Sequence, residues 1–202
     1  MASRRRFIHQ LGAGSVFAVN SPSLVKPKYP VVDDNINHLG PKKGYTPLIG
    51  SLISMLDWVS NSVIQYHLKL TTEQLDYIHD AESNSIGSLI LHVAATEVIY
   101  QDITFNNLED FTPDNKSKWG IAMDLGEEAR KQIKGHPLSY YKEARDEVRT
   151  KTKAEMKKRD DLWLTSGATK DWDWNNYCKW FHVAEHYANH RGQMTWYAKR
   201  IK

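Results

Sequence analysis

The sequence predicts an all-α protein, a four-helix bundle with a long crossover between its second and third helices. Three observations carry this expectation. Four long segments place apolar residues at steps of three and four, no run of alternating β-branched residues accompanies them, and no repeat of 20–50 residues points to a solenoid. Amphipathic segments of this kind bury their apolar stripes against one another.

The first helix opens at Thr46-Pro47, a capping residue followed by proline at the first helical position, and carries Leu48, Leu52, Met55, Leu56, Val59, Val63 and Tyr66. The second opens near Asn84-Ser85, with Ile86, Leu89, Ile90, Val93, Glu97, Tyr100 and Ile103 on one side. The third runs from Pro137 to Arg159, apolar at Leu138, Tyr141, Ala144 and Val148 and strongly charged elsewhere. The fourth runs from Asn175 to Arg200 through Tyr177, Trp180, Phe181, Ala184, Tyr187, Ala188, Met194 and Tyr197. The connection 107–135 is expected to hold one short helix, Asp124 to Lys134, bounded by Gly135. Residues 26–45 are rich in Pro, Gly and Asn without periodicity, and read as a linker or as a strap lying on the domain. The domain itself is expected over residues 46–202.

A chain of 202 residues fits one core, since single cores saturate near ~250 residues. The formal charge of +3 suggests an anionic partner until it is located: residues 1–25 carry Arg4, Arg5 and Arg6 and no acid. Without those three, the 27 basic residues fall to 24, equal to the 24 acidic ones. Lys151, Lys153, Lys157, Lys158 and Arg159 are interleaved with Glu155 and flanked by Asp160 and Asp161, the pattern of a solvated helix face, so no nucleic-acid partner is expected. One cysteine, Cys178, excludes an internal disulfide framework and a Cys-rich zinc cluster. No run of about 18 apolar residues is found, so no membrane span is expected.

The opening Ser3-Arg4-Arg5-Arg6-Phe7-Ile8, followed by the weakly apolar stretch Leu11 to Val19, resembles a twin-arginine export signal. Residues 1–25 are thus expected to send the protein out of the cytoplasm, into the periplasm. If they are instead a disordered basic tail, the protein is cytoplasmic.

Histidine is abundant, nine in all, and the last helix spaces His182, His186 and His190 by four. Four helical residues advance about 6 Å and about 40°, so neighbouring members of the series can share one ion, whereas His182 and His190, about 12 Å apart, cannot both join His186 on it. The pair His182-x-x-Glu185-His186 matches the H-x-x-E-H pattern of inverzincin peptidases, with Glu185 as base. That reading needs a further ligand downstream, and no acid follows His186. No Glu-x-x-His occurs, which sets aside a carboxylate-bridged di-iron bundle.

The other pair stands in His186-x3-His190-Arg191-Gly192-Gln193, and the second helix carries Ser85-Ile86-Gly87-Ser88-Leu89-Ile90-Leu91-His92-Val93-Ala94-Ala95-Thr96-Glu97. With these two motifs, residues 46–201 resemble the DinB/YfiT-like superfamily of metal-dependent helical bundles. The resemblance implies His92, His186 and His190 as ligands of one divalent ion, zinc or nickel. Three neutral imidazoles leave a position open for water, substrate or thiolate, and suit Zn, Ni, Cu and Fe alike. The resemblance also implies metal-assisted hydrolysis or thiol transfer on a small molecule, and a homodimer. A non-catalytic metal- or ligand-binding bundle is the alternative, and no catalytic residue is singled out.

Around the trio, Arg191 and Glu97 are expected either to form an interhelix pair that orients the site or to make an ordinary surface ion pair. Gln193 is placed to bond a ligand histidine or to pack. His182 is placed beside the pocket or behind a ligand, and Glu185 in solvent or in a structural role. Gly192, costly in mid-helix, suggests a close helix approach. Trp172-Asp173-Trp174 can form a pocket wall or bundle-end core. His9, His38, His67, His79 and His136 show no ligand spacing.

Overall fold

The computed structural model describes residues 30–201, so the leader-like segment 1–25 lies outside the described residues. Eight helices follow: α1 (Pro47–Gln65), α2 (Thr72–Leu75), α3 (Ile86–Phe105), α4 (Pro113–Asp124), α5 (Gly126–Gln132), α6 (Leu138–Met156), α7 (Asp161–Thr165) and α8 (Asn176–Ala198). The four long ones, α1, α3, α6 and α8, form the bundle, and each starts where its local chemistry directs. Pro47 fills an initial position of α1 that needs no N–H, while the Ser85 and Asn175 side chains accept from the Ser88 and Cys178 N–H groups at the heads of α3 and α8.

α3 is the central helix, packed by α4, α6 and α8. Seventeen of its twenty residues are buried, far more than one apolar stripe would supply, and this suits its largely apolar composition, in which Glu97 and Asp102 are the only acids and no Lys or Arg occurs. Two of the polar residues it buries are tied into the surrounding elements, although Gln101 Oε1 has no partner among the described residues. Gln101 Nε2 donates to the Val148 carbonyl at 3.1 Å and to Thr152 Oγ1 at 2.9 Å. Asp102 accepts from the Thr112 N–H at 2.9 Å, from Asn115 Nδ2 at 2.7 Å and from Asn106 Nδ2 at 3.0 Å.

The crossover departs from the expectation of a single short helix. Two are present, and the larger, α4, covers the side of α3 that the other three bundle helices leave open. Its polar start, Pro113-Asp114-Asn115-Lys116, hides it from a periodicity search, yet Thr112 caps it and Trp119, Gly120 and Ala122 turn inward. Leu125, at φ +58°, and Gly126, at φ +71°, end α4 and start α5, and the Gly126 N–H is held by Asn84 Oδ1 at 2.9 Å. The third bundle helix stops at Met156 rather than Arg159, because Asp160 caps the separate α7.

Residues 30–45 lie on α1. The Gly40 N–H donates to Ser54 Oγ at 3.0 Å and Trp58 Nε1 to Asn37 Oδ1 at 3.3 Å. At Gly50 a Cβ would stand 2.5 Å from the Lys42 nitrogen, so only glycine lets the two backbones meet. By length and composition α1 could cross a membrane, at mean hydropathy 1.2 over its best window, although no wholly apolar run of that length occurs. Here 56% of that window is buried within the protein, and Asp57 in it pairs with Arg149 and Lys153.

Candidate metal centre

His186 and His190 project from one face of α8 toward α3, where His92 meets them. Ring centroids stand 4.9 Å apart for His92 and His186, 4.8 Å for His92 and His190, and 4.5 Å for His186 and His190. One nitrogen from each ring lies within 4.8 Å of the other two, and the two Nε2 atoms of His92 and His186 are 2.9 Å apart.

Two of the rings are oriented from behind. His92 Nδ1 donates to the Ala122 carbonyl of α4 at 3.0 Å, and His190 Nδ1 pairs with Gln193 Oε1 at 2.9 Å. A carbonyl oxygen only accepts, so the proton sits on Nδ1 in both rings and the Nε2 lone pair is left toward the trio. Burial depresses the pKa of all three histidines. For His92 the facing His190 adds to it, and His186 is pushed down to about 3 by burial and then by His190, His92 and His182. The rings are therefore neutral at neutral pH, the state in which imidazole binds a metal.

This donor set fits a divalent ion. Zn–N bonds of about 2.0–2.1 Å at a tetrahedral angle put nitrogens about 3.3 Å apart, between the 2.9 Å separating the His92 and His186 Nε2 atoms and the 4.8 Å within which all three nitrogens lie. The Nε2 atoms of His92 and His186, on separate helices, stand 2.9 Å apart, and the Nδ1 of His92 is tied back, an arrangement compatible with a cation shared between them. The donor types do not choose between zinc and nickel.

The neighbours divide. Gln193 holds His190 and donates from Nε2 to Tyr197 OH at 3.2 Å. The expected Arg191–Glu97 pair is not formed. Glu97 is fully buried and accepts from Arg149 at 2.7 Å, Thr152 at 2.5 Å and Tyr187 at 3.0 Å, so α6 supplies its cation. Arg191 points to α1 instead, donating to Ser62 Oγ at 2.7 Å with its guanidinium over Trp58 and Tyr66. Gly192 makes no close approach either, since a Cβ there would meet nothing within 4 Å.

His182 stays outside the trio, 5.5 Å from the His186 ring, among Tyr100 and Trp174 at 5.9 and 5.6 Å, with Trp172 beside both of those rings. Its Nδ1 faces the solvent-exposed Glu185 at 3.3 Å. Trp172 and Trp174 thus form an aromatic wall leading away from the histidines. The Ala122 carbonyl, and the Arg149–Glu97–Tyr187 network joining α6, α3 and α8, were not legible from motif spacing. The cap Thr112-Pro113 was the signal that would have revealed α4.

Comparison with known proteins places this arrangement. The family described as mycothiol-S-transferase matches residues 51–197. Among curated proteins no match is found. A solved structure, described as a conserved protein from Enterococcus faecalis, is similar at 14% identity and TM-score 0.59, covering 73% of this chain and 93% of its own. At that identity the likeness concerns the fold, and the fold it supports is the helical bundle described above.

Proposed function

The chain belongs to the mycothiol-S-transferase family, a DinB-like family, and on that premise we propose that it is a metal-dependent S-transferase acting on a small-molecule thiol. The observation that carries the reading is the three-histidine cluster with the Nδ1 atoms of His92 and His190 tied back, inside a chain whose matched family is named for thiol transfer. Transfer is favoured over hydrolysis by that family alone; the cluster serves both.

His92, His186 and His190 would hold the ion, zinc or nickel. When bound, it supplies Lewis acidity that keeps a thiol as the nucleophilic thiolate at neutral pH. The protein's own part is positional. The Ala122 carbonyl and Gln193 fix two rings, which spares the cost of orienting them. Glu97 ties α3 to α6 and α8, holding His92 at the height of His186 and His190. The rings of His182, Tyr100 and Trp174 offer an apolar flank on which the body of an electrophile can lie.

Two measurements test this. Elemental analysis of untagged protein should find one divalent ion per chain, lost in His190→Ala; metal-free wild type defeats the site. Conjugation of a low-molecular-weight thiol to an electrophile should then require the metal and vanish in His186→Ala. Export through residues 1–25 belongs to the same proposal. Fractionation of cells should recover the protein outside the cytoplasm, and Arg4→Lys with Arg5→Lys should retain it inside.

A further inference from the structure

We propose that Lys179 anchors a second ligand pocket, which takes a small monocarboxylate with a flat apolar body. The pocket is a cavity of about 590 Å³ between the end of α3, α7 and the head of α8, separate from the three histidines. Trp163, Trp172, Ile103 and Leu108 give it apolar walls, and Lys179 lies in its lining. A volume of this size accommodates a single-ring organic acid.

Lys179 is only 5% exposed. Its Nζ donates to the Gly167 carbonyl at 2.8 Å and stands 4.5 Å from the centre of the Trp172 ring. Among the described residues no carboxylate lies within ion-pairing distance of it, and burial, with no charged neighbour acting on it, lowers its pKa. A buried ammonium has three donors to satisfy and a charge to balance, and a neutral carbonyl with an aromatic face does neither fully. Gly167 is built into the arrangement: its φ of +89° and the Asn176 side chain, 2.5 Å from where a Cβ would stand, admit only glycine, and this aims its carbonyl at Nζ.

A ligand carboxylate on Nζ would supply the missing counter-charge and accept the remaining donors. The tryptophan rings and the two aliphatic side chains then face its body, which selects a flat apolar group. The exposed Glu109 and Asp171 also lie in the lining. Their charges oppose a second negative group on the ligand, so one carboxylate is preferred over two or over phosphate.

Benzoate is the probe, titrated calorimetrically into the full chain with benzamide and phthalate alongside. Benzoate should bind wild type, phthalate more weakly, and Lys179→Met should weaken benzoate at least tenfold while leaving benzamide unchanged. Leu108→Trp, which fills the cavity and keeps the ammonium, should abolish benzoate binding; it covers the case in which Lys179→Met does not fold. His190→Ala should leave benzoate affinity unchanged, and a loss there would place the probe at the histidines and overturn the assignment. No benzoate binding by folded wild type, or equal affinity in folded Lys179→Met, overturns it too.

Discussion

At the scale of single residues, the histidines couple metal affinity to pH and stability in one sense. His67, His92, His186 and His190 all sit below their ordinary value of 6.5, with burial the first cause in each. As pH falls, the unfolded chain takes up protons that the native form refuses. The stability of metal-free protein is therefore full above about pH 6.5 and declines from there toward about pH 3, where His186 finally protonates. Melts of chelator-treated protein between pH 7.5 and 4.5 should show that decline, and His186→Gln should flatten it. Glu97 offers a second residue-scale test. Glu97→Gln leaves Arg149 facing a neutral amide in a buried site, a loss of roughly 3 kcal/mol or a melting shift of roughly 6–12 °C. An unchanged melting temperature would show that Asp57 alone satisfies Arg149.

Among elements, α4 shows what sequence patterning reads and what it does not. α1, α6 and α8 declared themselves because each must bury a stripe, which leaves a period of 3.6 in the chain, and α3 by the long apolar run that its nearly all-round burial requires. α4 buries only Trp119, Gly120 and Ala122, too few to make a period among its charged and amide neighbours. The same asymmetry governs the site. Motif spacing brought out His92, His186 and His190 because helical geometry relates i to i+4, but the acceptor for His92 is a backbone carbonyl, which any residue at 122 supplies. The partner of Glu97 was equally hidden, because Arg149 belongs to a segment whose other charges are mostly solvated. Thr112→Ala tests the importance of α4. Losing the cap should cost about 1 kcal/mol and speed amide exchange in residues 113–124. Metal affinity should also fall, by about tenfold or more, if α4 orients His92 as described. Unchanged affinity together with faster exchange would show that His92 holds its pose without α4.

In the whole molecule, α3 is the shared wall: it carries His92 on the side facing α8 and α4, and binds Glu97 to α6. Binding an ion across α3 and α8 links these two helices without touching the unfolded chain. Chelation should therefore lower the melting temperature, and readdition of metal should restore it in a concentration-dependent manner. The same dose dependence should be absent from His190→Ala.

The two helices of the crossover meet the bundle chiefly along α3 and close on themselves at Leu125-Gly126. They also hold the Ala122 carbonyl that accepts from the His92 ring, a peptide oxygen rather than a side chain. The crossover is thus a cover built into the core through Trp119, Ala122 and Ala129, and a change in its length or composition between Asn106 and Pro137 would reach His92 through the backbone of α4 while the four bundle helices keep their sequence. Such a change would alter the hydrogen bond behind one imidazole, and with it that ring's basicity, without altering any of the three histidines.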